Sequence, residues 1–377
     1  MAHYKISDVA EEVKDRENNP SESKYDRFVG LEHYVSGDVE ITHFGSTERL
    51  ESAMKVFKAG DILIARRNVY LKRASTVSFD GLTSGDSIVL RAKDPTIARI
   101  LPFVLNTDDF WDYADQYSDG TMSKRLSPKL LLAYEFDLPD NDLEDFADFL
   151  WAANETRNSY RELLRQTDEL VKSQFIEMFG GDKYPRKRLS DVALVSSGLT
   201  KNSKRASLPL KMKYLRVANV LFNELDLSDV QEIGVEEREI EKTLLEKNDL
   251  LFVEGNGSPD QIGRVSLWDG SITPMLHQNH IIKARFAGEV IPLYAMYYFM
   301  SDEGRKQILL SASTTSGLYT LSAGKIAAFE LPEAPLNRQE EFIAFAQQSD
   351  KSKFELKQAI ERVTNLMKSL MQQDFAN

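Results

Sequence analysis

Several polar stretches of this sequence carry side chains of the types that contact nucleic acids. Lysine and arginine pair with phosphate oxygens, whereas arginine, asparagine, glutamine, serine and threonine can hydrogen-bond to base edges. In the first half of the chain the candidates lie in the stretch ARRNVYLKR (65–73) and are Arg66, Arg67, Asn68, Tyr70, Lys72 and Arg73. In the second half they lie in polar loops and are Lys201, Asn202, Lys204, Arg205, Asn256, His277, Gln278, Asn279, Thr315 and Tyr319. This chemistry suits contact with double-stranded DNA.

No constellation of catalytic residues accompanies these candidates. The sequence has no phosphate-binding P-loop, no serine nucleophile elbow and no Asn/Asp-Pro-Pro-aromatic motif of base-modifying methyltransferases. His277 and His280 lack a framework of carboxylates, so a polar contact loop is favoured over a metal site. The absence of cysteine excludes a thiolate zinc site and a cysteine nucleophile. We therefore expect no catalytic residue, no metal ion and no cofactor on this chain.

The charges are segregated along the chain. The net charge of −12 argues against a nucleic-acid partner, but local patches matter more for binding than the average. Residues 186–216 hold nine Lys/Arg and one acid, and residues 55–73 hold six Lys/Arg and one acid. Acidic residues concentrate in 137–148 and 223–249. Each basic run is either a binding surface or a solvated face, and the sequence leaves both interpretations open.

The elements that must position these side chains occur twice. The stretch LVKSQFIEMF (170–179) returns as LMKSLMQQDF (366–375), 196 residues later. AGDILIARRN (59–68) matches KNDLLFVEGN (247–256), and both indicate a buried strand after an acidic turn. A repeat this long predicts a duplicated domain rather than a solenoid. The polar loops differ between the copies more than the apolar strands do, as two binding sites of different specificity would require or as drift after duplication would produce.

Each copy ends in a long charged helix. In 143–179 and 342–375 apolar residues recur at steps of three and four, which indicates one apolar stripe on a helix. About 36 residues at 1.5 Å each predict a rod of roughly 50 Å. Its apolar stripe needs a partner. We expect the two helices to pair, and the alternative is that each packs on its own globule.

These patterns predict an α+β fold with two similar strand-rich globular domains and two long helices. The helices would form an antiparallel coiled coil, and the molecule would be pseudo-two-fold symmetric. The predicted domains are 1–140 and 182–335, and the predicted helical spacers are 141–181 and 336–377. No apolar run reaches the roughly 18 residues of a membrane span, and the start of the chain has no apolar signal region. We therefore expect a cytoplasmic protein that does not contact a membrane.

The sequence resembles the specificity subunits of type I restriction–modification enzymes. The resemblance is carried by NDLLFVEGNGSPDQIGRVSLWDG, by STTSGLYTLSAGKIAAFELPEAPLNRQEEFIAF and by LMKSLMQQDF. Its most specific part is the order of a hydroxyl-rich loop, Leu-Ser, an apolar strand, Leu-Pro and a Pro-Leu-x-x-Gln-Glu helix start. The first copy departs from this pattern, since it lacks Gln-Glu and has the acid-rich linker DLPDNDLEDFADF.

The resemblance implies two target recognition domains, each of which recognises one half of a bipartite DNA site. It implies that the helices set the gap between the half-sites and dock the type I methyltransferase (modification) subunits. Those subunits hold S-adenosylmethionine, and the restriction subunits join through that complex. The chain itself would be non-catalytic. The alternatives are a stand-alone duplicated DNA-modifying or nuclease protein and a non-catalytic, protein-binding decoy of the same fold.

Overall fold

The computed structural model describes residues 2–120, 123–139, 142–315 and 317–373. The side chains of Thr315, Gln372 and Gln373 lie outside the described residues, as does Phe375, the last residue of the repeated stretch. The chain divides into two compact units, Met1–Glu162 with Leu356–Asn377, and Leu163–Glu355. Each long helix is thus shared between the units. The predicted boundaries instead set both helices apart as spacers, and they stay a prediction about domain organisation.

The first unit surrounds a four-stranded antiparallel sheet. Its strands are β1 (Ala2–Lys5), β2 (Ala10–Glu12), β3 (Arg16–Glu17), β4 (Arg27–Val29), β5 (Gly45–Ser46), β6 (Met54–Phe57), β7 (Ile62–Ala65), β8 (Ala74–Thr76), β9 (Gly81–Thr83), β10 (Ser87–Ala92) and β11 (Glu135–Leu138). Its helices are α1 (Ile6–Val9), α2 (Pro95–Val104), α3 (Asp108–Tyr117), α4 (Pro128–Ala133) and the start of α5 (Leu143–Phe179), with 3₁₀ helices at Pro20–Glu22, Leu31–His33 and Val69–Leu71. The central sheet has the order β2-β10-β7-β8. Every residue of β7 is buried, so this strand reads as a continuous apolar run.

The second unit repeats this arrangement. Its strands are β12 (Arg186–Arg188), β13 (Ala193–Ser197), β14 (Lys211–Leu215), β15 (Gln231–Gly234), β16 (Leu250–Val253), β17 (Gly255–Asn256), β18 (Val265–Leu267), β19 (Leu276–His277), β20 (Ile281–Phe286), β21 (Ser313–Thr315), β22 (Leu318–Thr320) and β23 (Glu330–Pro332). Its helices are α6 (Leu189–Val192), α7 (Glu237–Thr243), α8 (Pro292–Met300), α9 (Asp302–Ser311), α10 (Ala323–Ala327) and the start of α11 (Leu336–Gln373), with 3₁₀ helices at Ser203–Ser207 and Val217–Asn219. The order β13-β20-β16-β18 matches that of the first unit. The predicted duplication and the α+β fold class are confirmed.

A buried aspartate paired with a partly exposed arginine fixes the central hairpin of each unit. In the first unit, both carboxylate oxygens of Asp61 accept hydrogen bonds of 2.7 Å from Arg91. In the second, Asp249 accepts two bonds of 2.7 Å from Arg285. Each aspartate also accepts a bond of 2.8 Å from a backbone N–H three residues earlier, which closes the turn before the strand. The acidic turns predicted from AGD and KND are therefore structural, and their charge is satisfied by a bidentate arginine.

The long helices contribute to the cores of both units. In the second unit, Phe175 lies 5.1 Å from Phe342 between ring centroids, and Asp168 lies 3.0 Å from Lys353. Because the residue number rises along α5 while it falls along α11, the helices run antiparallel there. In the first unit, Met367 of α11 joins the core that includes the start of α5. The predicted helix pairing is confirmed. No helix of the described residues is long and apolar enough to cross a bilayer.

One buried glutamine fixes the start of α11. Gln339 is 1% exposed, and its Oε1 accepts a hydrogen bond of 2.9 Å from the N–H of Ile291. Its Nε2 donates to the carbonyls of Ala334 (2.8 Å) and Glu289 (3.2 Å). This residue is the Gln of the Pro-Leu-x-x-Gln-Glu motif, so the motif joins the helix start to the segment before α8.

Replacing Gln339 by Leu should lower the free energy of unfolding of the second unit by about 2–4 kcal/mol, because one buried N–H and two carbonyls lose their partners. Denaturant unfolding with hydrogen exchange measured at the Ile291 amide would detect both the loss and its location. Gln347→Leu, at an exposed position of the same helix, is the matched control. Equal stability and equal exchange in the two variants would contradict this role.

Candidate nucleic-acid interface

The first candidate loop leaves β7 and folds into the 3₁₀ helix Val69–Leu71. Asn68 and Lys72 flank this turn in the left-handed region, at φ 55° and 45°. The Oδ1 of Asn68 accepts a bond of 2.8 Å from Ser123. Lys72 donates to Asp108 at the start of α3 at 2.6 Å, which holds a conformation that a lysine rarely adopts. Tyr70 is left 65% exposed.

The arginines of this loop divide into two groups. Arg66 donates to the carbonyl of Leu126, and Arg73 donates to the carbonyls of Leu31 and Arg67. These contacts fold the loop onto its neighbours, and burial lowers the pKa of Arg73. Arg67 instead keeps a half-exposed side chain that lies 3.5 Å from Asp86. It can therefore exchange this weak ion pair for a phosphate.

In the second unit the fold joins all the candidate stretches along one edge. The backbone N–H of Leu199 donates to the carbonyl of His277 at 2.8 Å, which brings the 200–205 loop beside 277–280. The N–H of Glu254 donates to the carbonyl of His280 at 2.9 Å. Asn256 of β17 pairs with Tyr319 of β22, and β22 pairs in turn with β21. Three segments and one hairpin that are distant from one another in sequence thus form one polar rim, which we call the second-unit rim (199–205, 254–256, 277–280 and the hairpin strands within 313–315 and 317–320).

Most of the candidate side chains on this rim are accessible. Lys201, Asn202 and Lys204 are exposed, and Asn256, Gln278, Asn279 and Tyr319 are partly exposed. The oxygens of Asn202 and Asn256 accept bonds from the backbone N–H groups of Arg205 and Ser258. Their NH₂ groups have no partner within the described residues and can donate to a ligand. Thr315 ends β21, but its side chain lies outside the described residues.

Two candidates of the second unit hold the scaffold together instead of facing outward. Arg205 makes two bonds of 2.9 and 2.7 Å to Glu239 and one of 2.6 Å to the carbonyl of Thr200. These contacts lower the pKa of Glu239 to about 2. His277 is fully buried, its Nδ1 donates to the carbonyl of Ile281 at 2.8 Å, and burial lowers its pKa to about 4. No sequence pattern separates these two residues from their accessible neighbours.

The loop anchors are residues that sequence reasoning missed. Arg305 of α9 donates to the carbonyls of Ile262 (2.7 Å) and Gly263 (3.2 Å). Its Nη2 donates to the carbonyls of Pro259 and Asp260, which lie in the same glycine-rich segment (255–263). Arg305 therefore does for the second unit what the Lys72–Asp108 pair does for the first, since each ties a candidate loop to the helix that starts at an equivalent place. Only the fold reveals this role, because Arg305 follows the segment by some 40 residues.

The two loops occupy equivalent positions but carry different chemistry. The carbonyl of Arg66 accepts a bond from Leu126 in the first unit, and that of Glu254 accepts one from Leu321 in the second. The neighbouring side-chain contact also differs between the units. In the first unit the carboxylate of Asp86 pairs with Arg67, whereas in the second the imidazole of His280 hydrogen-bonds to the carboxylate of Glu254 at 2.7 Å. One scaffold thus presents two different polar surfaces.

Among the described residues no cluster of three or more His, Asp or Glu could hold a metal ion.

Replacing Arg305 by Gln should free four carbonyls and loosen the segment 255–263. We expect faster hydrogen exchange and earlier proteolytic cleavage there, with the rest of the second unit unchanged. Lys306→Gln removes the same charge from the exposed neighbouring position and should behave like the wild type. Unaltered exchange in Arg305→Gln would show that the segment is held by other contacts.

Replacing His277 by Asn should reduce the acid sensitivity of the protein. The unfolded imidazole, with its ordinary pKa of 6.5, binds a proton that the folded one accepts only near pH 4. The stabilisation from the neutral buried ring is therefore complete above pH 6.5 and is lost as the pH falls towards 4, by up to about 3 kcal/mol. Unfolding free energies measured across this window should converge between wild type and variant at low pH. The exposed-histidine variant His43→Asn is the control, and parallel curves for wild type and His277→Asn would refute the assignment.

The sequence is similar to part of two curated specificity subunits. It is 27% identical over 170 residues to the type I restriction enzyme EcoKI specificity subunit of Escherichia coli (strain K12). It is 25% identical over 166 residues to the StySPI specificity subunit of Salmonella potsdam. Each match covers 43% of this chain and 36% of the relative's length. No protein-family profile matches the chain.

The likeness to solved structures extends over nearly the whole chain. A chain from work on complex assembly and conformational transition of the type I R-M system has a TM-score of 0.56 at 16% identity, with 99% of this chain and 97% of that chain covered. The type I restriction-modification S subunit from M. genitalium has a TM-score of 0.52 at 13% identity, with 100% and 96% covered. The chain therefore has the fold of the type I restriction–modification specificity subunits and is similar in sequence to two of them, which confirms the resemblance inferred from its residues.

Proposed function

We propose that this chain is the DNA sequence-recognition subunit of a type I restriction–modification complex. In this function each unit recognises one half of a bipartite site. The observation that carries the proposal is the pair of equivalent polar surfaces on one duplicated scaffold. A single surface would be enough to bind DNA, whereas two surfaces of different chemistry suit two half-sites of different sequence.

The contacts fall into three roles. Arg67, Lys201 and Lys204 are accessible cations that would bind phosphates and fix the register of each unit on the duplex. The amide and hydroxyl side chains of the same two surfaces would contact base edges. They are Asn68, Tyr70, Asn202, Asn256, Gln278, Asn279, Thr315 and Tyr319. Arg66, Lys72, Arg73, Arg205 and His277 would hold the loops. Apart from Thr315, whose side chain lies outside the described residues, this division assigns specificity to groups that keep hydrogen-bonding atoms available.

The long helices offer a surface for protein partners. They carry exposed apolar side chains, at 46% for Phe149, 53% for Leu170 and 60% for Phe354. Apolar side chains left in solvent on otherwise charged helices suit a protein contact. We assign this contact to the methyltransferase subunits, through which restriction subunits would join. In this proposal the chain has no catalytic activity of its own, acts in the cytoplasm and fixes the gap between the half-sites through its helices.

Genome-wide adenine methylation tests the proposal, in cells that express this chain with its neighbouring methyltransferase subunit and in cells without this chain. We expect a new split motif with two short specific halves around a fixed gap. Arg67→Ala with Tyr70→Ala should weaken dependence on one half only, and Lys201→Ala with Lys204→Ala on the other. Each lysine removed should also reduce the slope of log K for DNA binding against log salt concentration by about one.

The controls and contrary outcomes are distinct. Arg99→Ala with Lys351→Ala removes two charges outside both surfaces and should leave the motif intact. An assembled complex with no new motif would favour the protein-binding decoy. Turnover by the purified chain alone would favour a stand-alone DNA-modifying or nuclease protein. Loss of both half-sites in either double variant would contradict separate recognition by the two units.

A further inference from the structure

A cavity of about 210 Å³ lies in the first unit, beside segments of both long helices. Its apolar wall includes Phe103, Met367 and Met371, and its polar wall includes Arg157 and Arg161. None of the residues that line it is a candidate DNA contact. The cavity is therefore distinct from the candidate DNA contacts themselves, and it meets the first loop through Asp108, which lines the cavity and anchors Lys72.

Arg157 is buried beside this cavity with little compensating charge. The residue is 5% exposed, and its Nη2 donates to Asn154 at 2.8 Å and lies 3.5 Å from a carboxylate oxygen of Asp38. Asp38 is already engaged by Arg161 at 2.6 Å. Among the described residues no other carboxylate lies within ion-pair distance of Arg157, and burial lowers its pKa. Since an incompletely paired buried charge is unfavourable, this guanidinium favours a further anion.

The internal repeat shows what such an anion would replace. With the register of 196 residues, Arg157 corresponds to Lys353, Asn154 to Asp350 and Thr364 to Asp168. In the second unit Lys353 lies 2.7 Å from Asp350 and 3.0 Å from Asp168. The first unit keeps the cation but has an amide and a hydroxyl where the second has two carboxylates. Thr364 lines the cavity, and its hydroxyl donates to its own helix.

The aromatic residue at the equivalent position is also less polar in the first unit than in the second. Phe103 and Tyr297 occupy equivalent positions. Each lies four residues before the N-cap residue of the next helix, which is Thr107 in the first unit and Ser301 in the second. The hydroxyl of Tyr297 donates to Asp350 at 3.3 Å. Phe103 has no hydroxyl. The second unit therefore fills its site with a paired polar network, whereas the first leaves an apolar wall opposite an arginine.

We infer that the cavity of the first unit binds a small carboxylate with an apolar body. The carboxylate would pair with Arg157, as the carboxylates of Asp168 and Asp350 pair with Lys353, and the apolar body would pack on Phe103 and the methionines. A cavity of 150 Å³ holds benzene, so this one accommodates roughly eight or nine non-hydrogen atoms. Benzoate and hexanoate have this size and chemistry. Three cations, Arg157, Arg161 and Lys368, face two carboxylates, Asp38 and Asp108, so the site keeps a net positive charge.

Calorimetric titration of the full chain with benzoate and hexanoate tests this inference, with benzyl alcohol and benzylamine as neutral and cationic ligands of similar size. We expect both carboxylates to bind and the other two to bind at least about tenfold more weakly, as loss of a charge-assisted hydrogen bond predicts. Equal binding of benzyl alcohol, or no binding of either carboxylate at about 10 mM, would overturn the inference.

Variants locate the site. Thr364→Asp supplies the carboxylate that the second unit has and should abolish carboxylate binding without unfolding the chain. Thr364→Val keeps the volume without the charge and should bind like the wild type. Arg157→Gln should weaken binding by about tenfold or more, and Arg99→Gln, an exposed position in the same unit, should not. Undiminished binding to Thr364→Asp would place the ligand elsewhere and refute the site.

Discussion

The structure depends on a reciprocal closure of two hydrophobic cores by two long helices. The repeated stretch in the middle of the chain supplies Val171, Phe175 and Phe179 to the core of the second unit. Its copy near the end of the chain supplies Met367 and Met371 to the core of the first. The C-terminal end of α5 thus packs in the core of the second unit, and the C-terminal end of α11 packs in the core of the first. Because burying each such side chain contributes about 1.5–3 kcal/mol, neither core is complete until both helices have formed.

A second constraint separates the scaffold from the surface that can vary. The Asp61–Arg91 and Asp249–Arg285 pairs have the same geometry in both units, and each closes the turn before a fully buried strand. The residues just after these strands differ between the units, since Arg66-Arg67 in the first unit correspond to Glu254-Gly255 in the second. Since the central hairpin takes its stability from buried strands and a satisfied ion pair, the residues beyond it are free to change without loss of the fold.

The basic residues near these loops do different work from one another. Arg66, Arg73 and Arg205 donate to backbone carbonyls or to a carboxylate and stabilise loop conformations. Arg67 and Lys204 remain accessible. A count of positive charges along the sequence cannot distinguish these groups, because the acceptors that engage the structural arginines come from segments up to 60 residues away.

The sequence by itself determined the duplication, the apolar stripes of the helices and the α+β class, because these follow from local periodicity and from similarity between two stretches of one chain. It also identified the segments that form the second-unit rim. Only the tertiary structure decided that His277 is buried, that Arg305 anchors the glycine-rich loop and that Gln339 fixes a helix start. Burial and hydrogen-bond partners arise from residues that are distant along the chain. Side chains of the same type in the same stretch therefore acquire opposite roles only when the sheets bring their partners together.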